Sequence, residues 1–201
     1  MQKNIFLLLV VCLLIVGFPL KSSSAKSSTF YVVVDYSLSL EDAIKVGHYA
    51  SMYVGDGRAP LTFPCDAYLD RKHYNYLANE SIHPERKREK VKIELISFPG
   101  IIENHLTPEN IISKMEKQGL RPATLRELLA FGATYPNEQR HGYGGIYALG
   151  SMRVLYDEGI PYYHFIPEIW SNPDERGFGE NCLEGFYGGY VGDVHFAVVR
   201  K

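Results

Sequence analysis

Histidine, cysteine and serine side chains are the groups in this sequence that metal binding or covalent catalysis would use. Its seven histidines include no pair at i, i+4, and the chain has no Cys-x-x-Cys motif, so the spacing typical of zinc sites is missing. A cysteine nucleophile would be Cys65 or Cys182, but neither lies in a catalytic signature. Ser151 lacks the flanking glycines of a nucleophile elbow, which indicates a turn serine. These patterns favour neither zinc chemistry nor a covalent mechanism.

Oxygen ligands are concentrated after the single tryptophan of the chain. Asn172, Asp174 and Glu180 supply the amide and carboxylate oxygens that calcium prefers. A surface Asn-Pro-Asp turn explains the same residues, because these residue types favour turns for backbone reasons. The sequence leaves two interpretations, a calcium site and an ordinary turn, and the turn is the simpler one. No other cofactor is indicated.

Carboxylates and histidines of the C-terminal half form a second candidate set, for hydrolysis. General acid–base catalysis needs a carboxylate and a histidine within hydrogen-bond reach of each other, and the fold sets that distance. An extracellular hydrolase is therefore the alternative function. The residues it would use are Asp174, Glu175, Glu180 and Asp193 with His164 or His195.

Aromatic side chains in glycine-rich loops suit binding better than catalysis. Tyrosine and tryptophan make large contacts at low conformational cost, and the chain has fifteen tyrosines and one tryptophan. Three glycines and two tyrosines lie between residues 187 and 192. For any single tyrosine, a place in the core or on a sheet face is the competing explanation. The candidate contact residues, for a protein or glycan ligand, are Tyr143, Trp170, Tyr187 and Tyr190.

The N-terminus has the layout of a secretory signal peptide. Lys3 precedes an apolar run over residues 5–20, and Ser23-Ser24-Ala25 is a small-x-small cleavage site. The apolar run is shorter than the ~20 residues of a typical membrane span. We expect residues 1–25 to be removed and residues 26–201 to form one domain. The mature protein would be secreted or periplasmic and no longer attached to a membrane.

The charge of the mature chain bears on its partners, and its cysteines bear on a disulfide. Removal of Lys3 and Lys21, with no acidic residue, changes the formal charge from −2 to −4. That balance lacks the basic excess of a nucleic-acid surface. Cys65 and Cys182 remain, and in an oxidising compartment they can form one disulfide. Two buried free thiols are the alternative.

The first half of the chain predicts strands and a short helix. Residues 29–36 are β-branched and aromatic, and their nearly continuous apolar character is compatible with a central strand. Ser39 is positioned to cap a helix, with Gly47 as a left-handed stop. Residues 49–79 show no sustained period and are expected to be irregular. Residues 90–95 alternate, which predicts a strand whose apolar positions face the core and whose charges face water.

Two helices follow, with clear signals at both ends. Thr107 and Pro108 mark the start of the first, and Gly119 its end. Thr124 and Glu127 form a capping box at the start of the second. We expect the second helix to end at Gly132, one of the glycines that become frequent from there on.

Beyond residue 132, glycine, tyrosine and proline are frequent and only short strands are indicated. Those strands are residues 146–149, 162–166 and 194–200. Strands, helices and then a loop-rich half with short strands together predict an α+β fold.

Three segments carry a family resemblance. Residues 119–129, with Arg121, Thr124 and Glu127, are similar to the Gly-x-Arg-Leu-Pro-Thr helix segment of the formylglycine-generating-enzyme-like group of C-type-lectin-like folds. Residues 194–200 resemble that group's closing strand, and Trp170 lies where the fold commonly buries a tryptophan. The resemblance implies that Arg121 and Glu127 are structural, paired or capping.

The chain also departs from that group. It has Arg121-Pro122-Ala123-Thr124 in place of Arg-Leu-Pro-Thr and lacks the closely spaced cysteine pair, so sulfatase-activating chemistry is not implied. The mature chain also resembles a set of uncharacterised secreted bacterial proteins, through Val34-Asp35-Tyr36-Ser37 and Ala148-Leu149-Gly150-Ser151. What these resemblances imply is a C-type-lectin-like α+β scaffold with short antiparallel strands, two or three helices and variable loops. We therefore expect a secreted, non-catalytic binding module.

Overall fold

A computed structural model describes residues 28–54, 57–60, 88–98, 107–138, 145–157, 160–171, 174–183 and 194–201. Across these ranges the chain forms a ten-stranded sheet and three α-helices, which confirms the α+β class. The leader, Cys65, Asn172, Asp193 and the loop tyrosines Tyr143, Tyr187 and Tyr190 lie outside the described residues.

The strands form one mixed sheet. Its main path runs β1-β4-β10-β6-β8-β9-β2-β3, with β5 paired to β10 and β7 paired to β8. Most neighbouring pairs are antiparallel, while β10 with β6 and β2 with β9 are parallel. The strands are β1 Thr29–Asp35, β2 Ser51–Val54, β3 Gly57–Pro60, β4 Arg88–Ile96, β5 Leu120–Pro122, β6 Ile146–Tyr147, β7 Arg153–Asp157, β8 Ile160–Ser171, β9 Arg176–Cys182 and β10 His195–Arg200.

The C-terminal strand β10 lies inside the sheet and serves two cores. It pairs with β4 on one edge, while β5 and β6 share its other edge. Because side chains alternate along a strand, Ala197 and Val199 join the core on one face, whereas Phe196 and Val198 join the core on the other. The end of the chain is therefore one of its most buried parts.

Helices cover both faces of the sheet. They are α1 Leu40–Val46, α2 Pro108–Glu116 and α3 Leu125–Thr134. Side chains of α1 and α3 pack in the core that includes the inward residues of β1 and β4. Helix α2 contributes Ile111 and Met115 to the second core, on the opposite face. A single turn of 3-10 helix at Leu149–Ser151 follows β6.

The strand β1 lies at the edge of the described sheet, so its expected central position is wrong. It pairs with β4 alone, and its burial alternates strictly. Phe30, Val32 and Val34 face the helices, while Tyr31 and Val33 are 53% and 61% exposed on the other face. One face of this strand is covered, which explains why an apolar run does not require a central position.

The three helix starts and the end of α1 at Gly47 were predicted correctly, whereas the left-handed backbone of Gly47 and the end of α3 were not. Ser39, Thr107 and Thr124 each cap their helix through the side-chain oxygen. Gly47 has right-handed backbone and is needed instead because the Tyr49 ring lies against its Cα. The third helix continues past Gly132, which is buried inside it.

Two stretches contain more strand structure than the sequence predicted. Strands β2 and β3 pair antiparallel within a stretch that was expected to be irregular. The strand predicted at residues 162–166 is the middle of the longer strand β8, whose partners β7 and β9 were not predicted. Glycines at alternate positions of β9 hid its strand pattern, because sequence propensity treats glycine as a strand breaker. Gly177 makes room for the Trp170 ring, which a methyl group at that Cα would overlap.

None of the helices in the described ranges is long and apolar enough to cross a bilayer.

Candidate functional site

A buried ion pair joins β5 to the start of α3. The Glu127 side chain is 1% exposed, and its two oxygens accept hydrogen bonds from Arg121 Nη1 and Nη2 at 2.9 and 2.6 Å. The Thr124 amide donates to Oε2 at 2.8 Å, and the Tyr36 hydroxyl donates to Oε1 at 3.1 Å. Burial and the neighbouring carboxylate raise the pKa of Tyr36, so this hydroxyl stays protonated and donates. Four donors satisfy this carboxylate, which confirms the predicted pairing and capping role.

The turn after β6 supports the same helix start. The Ser151 hydroxyl is buried and accepts a hydrogen bond from the Leu125 amide at 2.8 Å. Gly150 donates its own amide to the Ala123 carbonyl at 2.9 Å, and a Cβ on Gly150 would lie 2.5 Å from that oxygen. Ser151 is therefore a structural residue, as the sequence indicated.

Glu94 is buried on β4, where its charge was expected to face water. Its carboxylate accepts from Arg200 Nε and Nη2 at 3.1 and 3.0 Å and lies 3.1 Å from Lys92 Nζ. Burial alone would raise the pKa of Glu94, but the hydrogen bonds from Lys92 and Arg200 outweigh it and lower this pKa. The expectation failed because the last strand supplies a cation across the sheet.

A third buried carboxyl group, on β8, has a different environment. Glu168 is 6% exposed and lies opposite Tyr147 of β6. Asn181 Nδ2 lies 3.5 Å from both Glu168 Oε2 and the Tyr147 hydroxyl. Burial raises the pKa of Glu168, and the hydrogen bonds from Tyr147 and Asn181 offset it only in part. Within the described ranges, no Lys, Arg or His forms an ion pair with this carboxyl group.

Glu168 was missed by the sequence analysis. The signal for it was a single acidic residue inside the apolar segment 165–170. A charged residue within an apolar strand must find a buried partner or become protonated. Gly145 is part of the same cluster, because a Cβ there would lie 2.8 Å from Glu168 Oε2.

Among the described residues, a groove lies between the edge of β1 and the helices α1 and α3. We call it the β1–α3 groove; its volume is about 320 Å³. Leu129 and Ala130 of α3 and Val34 of β1 supply apolar walls, and Ala133 lies one turn further along α3. The polar residues that line it are Asp35, Arg88, Arg126 and Thr134.

Two arginines and one aspartate set the charge at the β1–α3 groove. Arg88 Nε donates to Asp35 Oδ2 at 2.8 Å, and Arg126 Nη1 donates to the Leu38 carbonyl at 2.6 Å. Hydrogen bonds from the Ser37 hydroxyl and from Arg88 lower the pKa of Asp35 to about 2. Arg88 and Asp35 thus form an ion pair at the margin of the groove, and Arg126 adds a second guanidinium to its lining.

The backbone edge beside this groove is partly closed. The Tyr31 amide donates a hydrogen bond to the Tyr135 hydroxyl at 3.3 Å. The same hydroxyl donates to the Tyr31 carbonyl at 3.1 Å. Both groups of Tyr31 therefore point away from β4. Peptide groups alternate in direction along a strand, so the amide and carbonyl of Val33 point the same way.

Several residues selected from the sequence lie in the described part of the C-terminal half. Trp170 is half-buried on β8 and packs over Gly177, Asp174 is exposed in the turn before β9, and Glu180 and Cys182 lie on β9. Among described residues, no group of three His, Cys, Asp or Glu side chains is arranged to hold a metal. With Asn172 and Cys65 outside the described ranges, the calcium site and the disulfide stay predictions.

The predicted hydrolase residues are distributed over three strands and a turn. His164 lies on β8 with Nε2 4.0 Å from Glu109 of α2, and His195 begins β10. Glu175 lies in the turn that precedes β9. This alternative function also stays a prediction.

Comparisons of the chain with protein-family models, with curated proteins and with solved structures gave no match.

Proposed function

We propose that this protein is a non-catalytic binding module that acts outside the cytoplasm after loss of residues 1–25, and that the β1–α3 groove is its ligand site. The observation that carries this proposal is the groove itself, which has a volume of about 320 Å³, apolar walls and a few charged groups at its margin. Ligand sites in proteins have this composition and begin at roughly 300 Å³.

The walls of the β1–α3 groove are fixed by the core behind them. Val34 is 1% exposed and Leu129 is fully buried, so neither has room to rotate into the groove. Arg126 and Arg88 are held by the hydrogen bonds to Leu38 and Asp35. A preformed site of this kind loses little conformational entropy when a ligand binds.

The arrangement of the segments that carry the family resemblance supports a C-type-lectin-like scaffold. Residues 120–122 pair with β10, the strand that resembles the closing strand of that group. Gly150 lies in the segment that resembles the secreted bacterial proteins, and its amide donates to the Ala123 carbonyl, so this segment adjoins residues 120–122. On this scaffold we propose a protein or glycan ligand, with Tyr143, Tyr187 and Tyr190 as additional contacts in the loops and Trp170 as a neighbouring aromatic residue.

A groove-filling substitution tests this function. Ala133→Phe places a phenyl ring in the β1–α3 groove, whereas Asn110→Phe adds the same ring to an exposed position of α2 as the control. The probes are three mixtures at millimolar concentration: short peptides, oligosaccharides and small organic fragments. The readout is the amide chemical shifts of β1 and α3 in isotope-labelled mature protein.

We expect at least one mixture to shift the amides that line the groove in the wild type and in Asn110→Phe, and to leave them unchanged in Ala133→Phe. No shift with any of the three mixtures would overturn the proposal. Equal shifts in Ala133→Phe would also overturn it, because the ligand would then bind elsewhere.

A further inference from the structure

We propose that the ligand of the β1–α3 groove is an extended polypeptide segment of another protein, which adds to the edge of β1 at Val33 and places an acidic side chain beside Arg88. This inference rests on the proposed function and specifies the partner for the same site. Strand addition to a sheet edge is a common mode of peptide recognition, in which backbone hydrogen bonds give affinity and side-chain pockets give specificity.

The backbone groups available at this edge define where a strand can add. Val33 is 61% exposed, and its outward amide and carbonyl make no hydrogen bond with any described residue. The Asp35 carbonyl already accepts from the Leu38 amide at 3.4 Å. The Val33 amide and carbonyl and the Asp35 amide are therefore the open groups, between the Tyr135 hydroxyl and the turn that leads to α1.

The Tyr135 side chain covers the part of this edge next to Val33. Its hydroxyl occupies the position that a neighbouring strand would take at Tyr31, and it satisfies both backbone groups there. Exposed sheet edges favour unwanted pairing, and proteins usually protect them. The next pair of groups, at Val33, is left open directly beside the β1–α3 groove.

The side chains of an added strand would alternate between the two faces of the sheet. Those on the helix side would meet the groove surface of Ala130, Ala133 and Val46. Val46 is 55% exposed and would be covered by an apolar side chain at that position. The partner sequence is therefore apolar at alternate positions.

Charge at the margin of the groove specifies one more residue of the partner. The Arg88 side chain is 75% exposed, so its guanidinium has donors left after the bond to Asp35. These remaining Nη donors favour a carboxylate on the ligand, because a carboxylate can accept two hydrogen bonds from one arginine.

A second copy of this chain fits the edge less well than a foreign peptide. If two β1 strands paired with each other, the side chains directed into each groove would be those that face the helices in the partner's own core. Val32 and Val34 are each 1% exposed in that core and are not free to enter another groove.

A matched pair of peptides on the full mature protein tests strand addition. The first is an acetylated, amidated peptide of about seven residues that alternates valine and threonine and contains one glutamate. The second is identical except for an N-methyl group on the central valine, which removes one backbone donor and leaves every side chain. We expect the first to slow hydrogen exchange of the Val33 amide, and the second to bind at least about tenfold more weakly, since a lost backbone bond weakens affinity by roughly that factor.

The outcomes separate the two proposals. If both peptides bind the groove equally, strand addition is overturned while the binding function stands. If neither peptide binds and other probes still shift the groove amides, the polypeptide ligand is overturned and the binding function stands. If no probe of any kind binds, both fail.

Protein variants give an independent check. Val33→Pro removes the outward amide without removing a bond to β4, which edge positions tolerate, and Val33→Thr is the control that keeps the amide. We expect peptide binding to be lost in Val33→Pro and kept in Val33→Thr; should Val33→Pro fail to fold, the N-methylated peptide on wild-type protein carries the test. Arg88→Gln should weaken binding of the glutamate-containing peptide and leave unchanged the binding of a peptide with glutamine in place of that glutamate. A dimer by sedimentation that Val33→Pro abolishes would overturn the proposal in favour of self-association.

Discussion

The buried carboxyl groups show that residue type alone does not fix an electrostatic role. Glu94, Glu127 and Glu168 are all nearly inaccessible to solvent. Arginines neutralise Glu94 and Glu127, whereas Glu168 has hydrogen bonds from Tyr147 and Asn181. The partner, and not the carboxyl group, therefore decides the direction of the pKa shift, which is downward at Glu94 and upward at Glu168.

Glu168 makes a prediction about pH. Because its pKa is raised in the folded state, the unfolded chain ionises first, and the free energy of unfolding falls as pH rises from the ordinary carboxyl value, 4.5, through the folded pKa. Glu168→Gln should remove this part of the pH dependence and lower stability less at pH 7.5 than at pH 4.5. Urea denaturation at the two pH values measures it, with exposed Glu116→Gln as the control. If Glu168→Gln lost as much stability between pH 4.5 and pH 7.5 as the wild type, the loss would not arise from Glu168.

Glu127 makes a prediction about the free energy of unfolding. Glu127→Ala leaves Arg121, the Thr124 amide and the Tyr36 hydroxyl without their common acceptor. Breaking a fully buried pair costs several kcal/mol, but the Arg121 side chain is 39% exposed and water replaces part of the interaction. We expect a loss of about 2 kcal/mol in urea denaturation. A loss within about 0.5 kcal/mol, the usual range for surface positions, would mean that the pair is not structural.

At the scale of elements, two glycines are required for different reasons. Gly119 has φ +71° with no atom near a potential Cβ, so the backbone conformation is its only requirement. Gly150 is required for a steric reason instead, because a Cβ would overlap the Ala123 carbonyl just before α3. Gly119 follows the end of α2, and Gly150 permits the 3-10 turn to pack against the start of α3.

The contrast predicts different tolerance to asparagine, which adopts left-handed backbone more readily than most residues. Gly119→Asn should lower the free energy of unfolding by less than about 1 kcal/mol. Gly150→Asn should lower it by about 2 kcal/mol or more, because backbone atoms must move. Thermal unfolding of the two variants beside the wild type measures the difference. Equal stability of the two variants would show that the approach to Ala123 is not restrictive.

For the whole molecule, the position of β10 is decisive. The strand contacts three others and contributes alternate side chains to both cores. Removal of residues 194–201 should therefore abolish cooperative unfolding, while removal of Lys201 alone should not. Circular dichroism during a thermal scan distinguishes the two. A truncated protein that still unfolds cooperatively would mean that the two cores fold without this strand.

The leader and the cysteines make a prediction for the exported protein. We expect its N-terminal residue to be Lys26 and, if Cys65 and Cys182 pair, its non-reduced mass to lack two hydrogens relative to the reduced form. Intact mass before and after reduction measures both. An N-terminus at Met1 on the exported protein would contradict cleavage, and an unchanged mass would contradict the disulfide.

The sequence by itself determined the local features of this protein. The caps Ser39, Thr107 and Thr124 and the presence of strands over residues 29–36 and 90–95 were predicted correctly, because each depends on residues that are neighbours along the chain. A capping hydrogen bond joins residues three apart, so spacing alone identifies it.

The tertiary structure alone decided which strand is an edge, which carboxyl groups are neutralised and where a groove opens. The Tyr135 hydroxyl and its partner Tyr31 are 104 residues apart, and Arg200 and Glu94 are 106 apart. No pattern within a short stretch of sequence contains such contacts, because packing of distant elements creates them. The β1–α3 groove arises in the same way, where a strand edge and two helices meet.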